Sequence, residues 1–510
     1  MSADDSPSGG SGGRIRKGFL SQFNNWISAS GAVIAMGALF AFVLLFFLDI
    51  TAEDPSPYLG ILTFLVAPFF LVSGLVFMLI GWLVDRWYLS KLGHRSTFLR
   101  FSLDFSKPGE LRKFLIFGAL AVGFLFLSAL GSYKTYHVTE GNEFCGEVCH
   151  TIMEPEYTTY QKSPHARVAC VDCHIGEGAT WYVKAKIDGL YQVYATLANI
   201  YPTPVPTPIE SLRPSQDTCE KCHWPQVFTG NLDRTFEHYL SDEDNTPYSI
   251  RLILKVGGGD PRLGRVGGIH WHTDPRNRVE YVALDEDRQD VPMVRLRKEN
   301  GEEVVFLRED YDTVEDLEEA LAGEEHHEVR VMDCIDCHNR PAHILLAPNQ
   351  ALDNAFALKR LDPSWPELKY NAVELLVGEY ETVEQAHATI RASLLKTYAG
   401  QPRLEETITE VQRIYSENFF PLMKADWSVY PNNIGHKNWG GCFRCHGGEH
   451  YNVETGAPLQ AADCNSCHTI LAQGVGDQLL QLAPAGLAFE HPAGDVEGLQ
   501  CNLCHTGGPQ

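Results

Sequence analysis

The chain is short of positive charge, of unpaired cysteine and of repetition. Its 510 residues hold 41 Lys and Arg against 65 Asp and Glu, a formal net charge of −24. Nucleic-acid binders present basic patches, so this balance argues against nucleic acid as a partner. None of the 14 Cys stands alone. All fall in seven close pairs, which leaves no thiol for a disulfide framework or a nucleophile. Apart from those pairs there is no repeat of fixed period. Apolar residues make up 44 % and charged residues 21 %, which excludes both a disordered chain and a purely integral membrane protein. At about 150 residues per domain, the length allows roughly three structural units.

Each Cys pair is followed at once by His. Six read C-x-x-C-H: Cys170/Cys173-His174, Cys219/Cys222-His223, Cys334/Cys337-His338, Cys442/Cys445-His446, Cys464/Cys467-His468 and Cys501/Cys504-His505. The first, Cys145/Cys149-His150, reads C-x-x-x-C-H. Zinc ribbons use paired Cys but need no His directly after each pair, and disulfides leave the His unexplained. At the His frequency of this chain, seven consecutive hits by chance have a probability of order 10⁻¹⁰. The pattern is the c-type haem attachment site. Two thiols add to the haem vinyl groups as thioethers, and the adjacent His ligates the iron. Seven covalently attached c-type haems, numbered here with their motifs, are therefore expected. The extra residue of the first motif, Val148, is expected to bulge from its loop.

The N-terminal part reads as a membrane anchor. Residues 1–25 are small and polar with Arg14, Arg16 and Lys17, as in a cytoplasmic tail. Trp26 to Leu48, Ser56 to Val84 and Phe114 to Tyr133 then run 23, 29 and 20 residues without a charge. Each meets the roughly 20 residues a spanning helix needs. The loop between the second and third runs carries Arg86, Lys91, Arg95, Arg100, Lys107, Arg112 and Lys113, so it is expected on the cytoplasmic side. The third helix then exits into the periplasm, and the first motif begins 12 residues after Tyr133. The expected localisation is the bacterial inner membrane, multi-pass, with the haem domain in the periplasm. The two parts differ in charge: residues 1–133 hold a net +2 and residues 134–510 a net −26. An acidic periplasmic domain steers a basic or locally basic partner.

The fold class expected is an α-helical anchor of three transmembrane helices plus a periplasmic multihaem cytochrome c domain, mainly α and irregular with a β-rich insert. The divisions expected are a tail (1–25), the anchor (26–133), a region with haems 1–3 (134–223), the β-rich insert (224–333), haem 4 with a helical region (334–441) and haems 5–7 (442–510). Asn300-Gly301 between two β-type runs signals a hairpin.

Thirteen His lie outside the motifs. His94 falls in the basic loop, His326 and His327 in an acidic stretch, and His387 in a polar helix expected at the surface. The candidates for the far side of each iron are His137, His165, His238, His270, His272, His343, His436, His450 and His491. The strongest are His165, His272, His343, His436, His450 and His491, several within a few residues of a motif. His238, His270 and His272 are not separable by sequence. At the first site Met153 follows His150 by three residues, and an axial Met raises haem potential.

The run Cys145…Cys149-His150…Met153, then Cys170-Val171-Asp172-Cys173-His174 and a Lys/Asp-bearing helix, resembles the NapC/NirT family of membrane-anchored multihaem quinol dehydrogenases. The whole chain resembles the inner-membrane heptahaem, ImcH-like cytochromes of metal-respiring bacteria. Typical NapC/NirT members have one membrane helix and four or five haems. The resemblance implies oxidation of a quinol, menaquinol among them, beside haem 1, with electrons passed to periplasmic c-type cytochromes. A quinol yields two protons as well as two electrons. On the helix after motif 2, Trp181, Lys184, Asp188 and Tyr191 share one face. A carboxylate there can accept a proton and a lysine can orient the quinol oxygen, which makes Lys184, Lys186 and Asp188 the candidate catalytic residues. The alternative function is a terminal reductase of a small oxyanion with one open haem. A supply of His large enough to close haems 2–7 favours conduction.

Overall fold

The computed structural model describes residues 26–51, 62–84, 108–148, 150–176, 179–209, 212–224, 230–257, 267–274, 276–322, 327–459, 464–494, 496 and 500–508. The basic tail, most of the basic loop, His94, Cys149 and His326 lie outside the described residues. The chain divides into two compact units, Met1–Phe144 and Cys145–Gln510. The four divisions expected after residue 133 thus belong largely to a single unit.

The first unit contains α1 (Trp26–Thr51), α2 (Ala67–Val84) behind a π-helical turn at Leu62–Val66, and α3 (Pro108–Thr139). Trp26–Leu48 and Leu62–Val84 are long and apolar enough to cross a membrane, with mean hydropathies of 2.6 and 2.4. The third uncharged run lies within α3. In α1 and α2, Gly31 and Gly74 meet so closely that a Cβ on Gly31 would stand 2.5 Å from the Gly74 carbonyl oxygen. Small residues allow this approach where lipid removes the hydrophobic drive between helices. Phe42 meets Phe124 and Phe64 edge to face, at 4.7 and 6.2 Å between ring centres, which ties the three segments together.

In the second unit α4 (His150–Lys162) and α5 (Ala179–Ala198) follow motifs 1 and 2. The main apolar core belongs to α7 (Pro348–Ala357), α8 (Leu368–Leu376), α9 (Val383–Thr397) and α10 (Leu404–Asn418), with α6 (Val314–Leu321) elsewhere. On α10, Thr407, Ile408, Val411, Ile414, Tyr415 and Asn418 are buried, the spacing of one helix face. They pack with Leu352, Trp365, Leu376 and Ile390. At the edge of this core Lys369 Nζ lies 2.5 Å from Asp353 Oδ1. Both residues are buried.

Two antiparallel sheets occupy the region expected to be β-rich. One has the order β1 (Leu232–Tyr239), β2 (Pro247–Leu254), β8 (His468–Gly474). The other runs β6 (Glu328–Val331), β3 (Asn277–Ala283), β4 (Met293–Lys298), β5 (Glu303–Arg308), β7 (His450–Asn452). The expected hairpin forms between β4 and β5, with Gly301 at φ +82° supplying the left-handed residue of its loop. Each sheet is completed by a strand from beyond residue 333: β7 follows motif 5 and β8 follows motif 6. The sheets therefore hold the C-terminal motifs rather than forming a separate insert.

Candidate electron-transfer site

The motif residues form short helical turns, and the longer first motif takes a wider turn than the other six. Cys170–His174, Cys334–Cys337 and Phe443–His446 are α-helical, while Cys219–Lys221, Cys464–Ser466 and Cys501–Leu503 are 3₁₀. Phe144–Val148 is π-helical. A π turn absorbs one extra residue without leaving the helix, so Val148 does not loop out as expected. Gly146 permits the packing there: a Cβ on it would come 2.2 Å from the Tyr157 ring of α4.

The sequence treats every motif Cys alike, and the structure corrects that. Cys145, Cys170, Cys219, Cys334, Cys337, Cys445 and Cys501 are half-buried, whereas Cys173, Cys222, Cys442, Cys467 and Cys504 are exposed. The reason is plainest at motifs 3 and 7. Cys222 and Cys504 each fall one residue past a 3₁₀ turn, at the end where the chain leaves it. Their N–H groups still donate to the Cys219 and Cys501 carbonyls, at 3.1 and 3.2 Å. Residues three apart eclipse in such a turn, so both thiols of the pair share one side. That side is the one a single bridged ring requires. The inner thiol, Cys219 or Cys501, is the more covered of each pair, and Cys222 or Cys504 stands toward solvent.

An imidazole nitrogen bound to a metal stands about 2.0–2.1 Å from it, so two rings on opposite sides of one ion have their centres about 6 Å apart. Six motif His face a second His at this separation. Ring centres lie 6.3 Å apart for His174 and His343, 5.9 Å for His223 and His165, and 6.4 Å for His338 and His270. They lie 5.8 Å apart for His446 and His272, 6.3 Å for His468 and His436, and 5.7 Å for His505 and His491. The last pair is the tightest, with its Nε2 atoms 3.4 Å apart. Among the described residues, no group of three or more His, Cys, Asp and Glu is placed to hold a bare metal ion. Pairs of rings beside thiol pairs fit haem.

Backbone carbonyls orient several of these rings. The Nδ1–H groups of His165, His272 and His343 donate to the carbonyls of Pro341 (3.1 Å), Ile269 (2.8 Å) and Glu156 (2.9 Å). That places the proton on Nδ1 and leaves Nε2 unprotonated, with its lone pair free for a metal. His343 is further held by Arg340, whose Nε–H donates to its carbonyl at 2.6 Å and whose Nη2 meets the Glu156 carboxylate at 3.1 Å. The same guanidinium lies 4.3 Å from the centre of the Tyr430 ring. Burial pushes the pKa of His174, His270, His338, His343, His436 and His468 below the ordinary imidazole value. This keeps the rings neutral, the form that ligates.

His270 and His272 separate by geometry. Both sit on the 3₁₀ turn Ile269–Thr273. At 3.0 residues per turn, side chains two apart point about 120° away from each other. One therefore faces motif 4 and the other motif 5. Gly268, at φ +77°, starts the turn, and a Cβ on it would meet the Lys255 carbonyl oxygen at 2.4 Å.

Other candidates are placed elsewhere. His450, expected among the strongest, is buried, and its Nε2–H donates to the Val291 carbonyl at 2.7 Å. That hydrogen bond uses Nε2, and among the described residues His450 faces no motif His, so it is corrected to a structural residue. His238 Nδ1 lies 3.1 Å from Asp353 Oδ2, and among the described residues it faces no motif His. His137 packs on Tyr133 and Tyr136 within the first unit. His387 is half-buried between α9 and α10, its Nε2 at 2.8 Å from Ser416 Oγ. Met153 is half-buried on α4, one turn after His150, whose side chain lies outside the described residues.

His450 gives a pH prediction. Burial lowers its pKa, with the Val291 carbonyl opposing. An unfolded imidazole titrates near about 6.5. Below that pH the unfolded chain takes up a proton that the folded ring resists, so folding stability falls as pH falls toward the lowered folded value. The slope approaches about 1.4 kcal/mol per pH unit for this one group. His450→Gln should remove that share of the acid sensitivity, read by denaturant titrations at neutral and mildly acid pH. An unchanged acid slope would show that the ring is not held neutral.

On α5, Trp181, Lys184, Asp188 and Tyr191 fall within an arc of about 80°. Lys186 lies about 160° from Lys184 and from Asp188, so it does not share their face. Lys184 Nζ and the Arg213 guanidinium lie 5.5 and 5.4 Å from the centre of the Trp181 ring. A separate stripe, Ile187, Leu190, Tyr194 and Leu197, is exposed, Leu190 by 71 % and Leu197 by 78 %.

Sequence reasoning missed Glu156, Arg340, Asp336 and Arg444. The last two join motifs 4 and 5, Arg444 Nη2 donating to the Asp336 backbone carbonyl at 2.7 Å, and they carried a signal as the charged inner residues of Cys334-Ile335-Asp336-Cys337 and Cys442-Phe443-Arg444-Cys445.

Membrane-crossing helices joined to a chain bearing Cys-pair motifs and facing His rings define a membrane-anchored multihaem cytochrome c that serves electron transport. The chain belongs to the NapC/NirT cytochrome c family: the model of that family's N-terminal region matches residues 110–207. It is 40 % identical over 493 residues to the cytochrome c-type protein ImcH of Geobacter sulfurreducens, covering 93 % of each chain. It is 29 % identical over 140 residues to the cytochrome c-type protein NrfH of Wolinella succinogenes, covering 26 % of this chain and 77 % of that one. No solved structure matches the chain.

Proposed function

We propose that the protein is an inner-membrane quinol dehydrogenase carrying seven c-type haems, oxidising menaquinol or a similar quinol and delivering electrons to periplasmic cytochromes. The observation that carries this reading is the set of six facing His pairs, which leaves motifs 2–7 built for conduction rather than for an open reductase site. All fourteen motif Cys, the exposed Cys222 and Cys504 included, would carry the thioethers. His343 would hold haem 2 with His174, His165 haem 3 with His223, His270 haem 4 with His338, His272 haem 5 with His446, His436 haem 6 with His468 and His491 haem 7 with His505, and Met153 would serve haem 1. When bound, the haems supply one-electron acceptors in series.

The chain's own residues handle the quinol and its protons. Motif 1 follows an apolar run closely in sequence, which favours entry of a lipid-dissolved quinol there. The exposed apolar stripe of α5 is a surface of the kind that lies in a lipid interface. Lys184 orients a quinol oxygen beside Trp181, and Asp188 on the same face accepts a proton. In this reading the N-terminal tail and basic loop are cytoplasmic, three helices cross the membrane, and Cys145–Gln510 is periplasmic.

The test is to purify the protein in detergent, count haems by intact mass, and mix it with a reduced menaquinol analogue while following haem absorbance. Asp188→Asn should slow quinol-driven haem reduction by about 10²–10⁴, the usual worth of a general base. Reduction by a small soluble reductant should stay unchanged. Lys184→Ala should weaken quinol binding more than the chemical step, and Lys186→Ala should do neither. Wild-type rates for both Asp188→Asn and Lys184→Ala would move the site elsewhere.

A further inference from the structure

We infer that motifs 5, 6 and 7 form a closed triangle around His436 rather than the last three stations of a single file, an inference that rests on the conduction reading above. The ring of His436 faces His468 of motif 6, 19° from parallel. It also stacks on Phe443, an inner residue of motif 5, at 4.1 Å between centres and 12° between planes. Its Nδ1 lies 3.7 Å from Cys501 Sγ, the first thiol of motif 7. One imidazole therefore stacks on motif 5, faces the His of motif 6 and lies beside the first thiol of motif 7.

One side of the triangle also closes without His436. Gln500, the residue before Cys501, donates from Nε2 to Glu449 Oε1 at 3.1 Å. Its amide sits against Gly447, the residue after His446, where a Cβ would come 2.8 Å from Nε2. Motifs 5 and 7 thus meet without passing through motif 6. Motifs 5 and 6 adjoin through His436 itself, which stacks on Phe443 and faces His468. Three mutually adjacent sites give an electron entering at motif 5 two equivalent ends. A soluble acceptor can then be served from haem 6 or from haem 7.

The experiment uses the full-length haem-loaded protein. In the first variant Cys464→Ser and Cys467→Ser remove haem 6 alone, with intact mass confirming the six others. The triangle predicts that quinol reduces all six remaining haems at the wild-type rate. A single file predicts that haem 7 is stranded, with about one-sixth of the absorbance change delayed, and that result overturns the triangle. In the second variant His436→Met keeps every attachment motif and replaces only the shared ring. An equilibrium redox titration should then show shifted potentials at more than one haem, whereas a shift confined to one haem overturns the inference. If quinol fails to reduce the wild-type haems, the conduction reading is lost and the titration alone decides the triangle.

Discussion

Asp353→Ala is expected to cost about 3–5 kcal/mol of folding stability, because it strands a buried lysine. Asp353 and Lys369 are 3 % and 5 % exposed. The carboxylate takes Lys369 Nζ, the Tyr239 N–H at 3.0 Å and His238 Nδ1 at 3.1 Å. Without it, the ammonium keeps only the Tyr239 carbonyl among the described residues, and β1 loses its polar tie to α7. Denaturant unfolding followed by far-ultraviolet circular dichroism measures the loss. The double variant Asp353→Ala with Lys369→Met removes the stranded charge and should recover much of it. If the double variant is as unstable as the single one, the penalty lies in packing and the charge argument fails.

His343→Ala should open one iron. The oxidised protein is expected to gain a high-spin absorbance component, and the reduced protein to take up about one equivalent of carbon monoxide per chain. His450→Ala and His238→Ala should bind none beyond the parent level. The contrast is informative because His450 lies close to a motif in sequence while His343 is far from the motif it faces. Carbon monoxide uptake in His450→Ala but not in His343→Ala would reverse the two assignments.

Much of this was legible because the chemistry is local. Thioether attachment fixes two Cys and a His within a few residues, so the motifs can be read without a fold. Long uncharged runs are equally local, and so is the Gly301 turn. How far each thiol is covered is not local, and Cys222 and Cys504 differ from their partners Cys219 and Cys501 only once the turn and its surroundings are built. The partners across each iron are not local either. Cys445-His446-Gly447-Gly448-Glu449-His450 suggested a ligand by nearness, yet Gly447 and Gly448 carry the chain into β7, where His450 is spent on Val291. His270 and His272 could not be divided because the answer depends on the turn type at Ile269–Thr273. The strands β7 and β8 join sheets whose other members lie more than a hundred residues earlier, which no periodicity reveals. Lys186 was grouped with Lys184 by composition, and helix geometry parts them.

The facing pairs also set an order for maturation. In the proposed reading the haem domain is exported N-terminus first, and His165, His270, His272, His436 and His491 all precede the motif His they face. When those motifs appear, the second imidazole has already been made. Motif 2 is the reverse case: His343 lies 169 residues after His174. A haem fixed there during export waits for a third of the protein to arrive before its outer face is covered. In that interval it is the site most open to stray ligands and oxidants, so slow synthesis or export should damage haem 2 before the others.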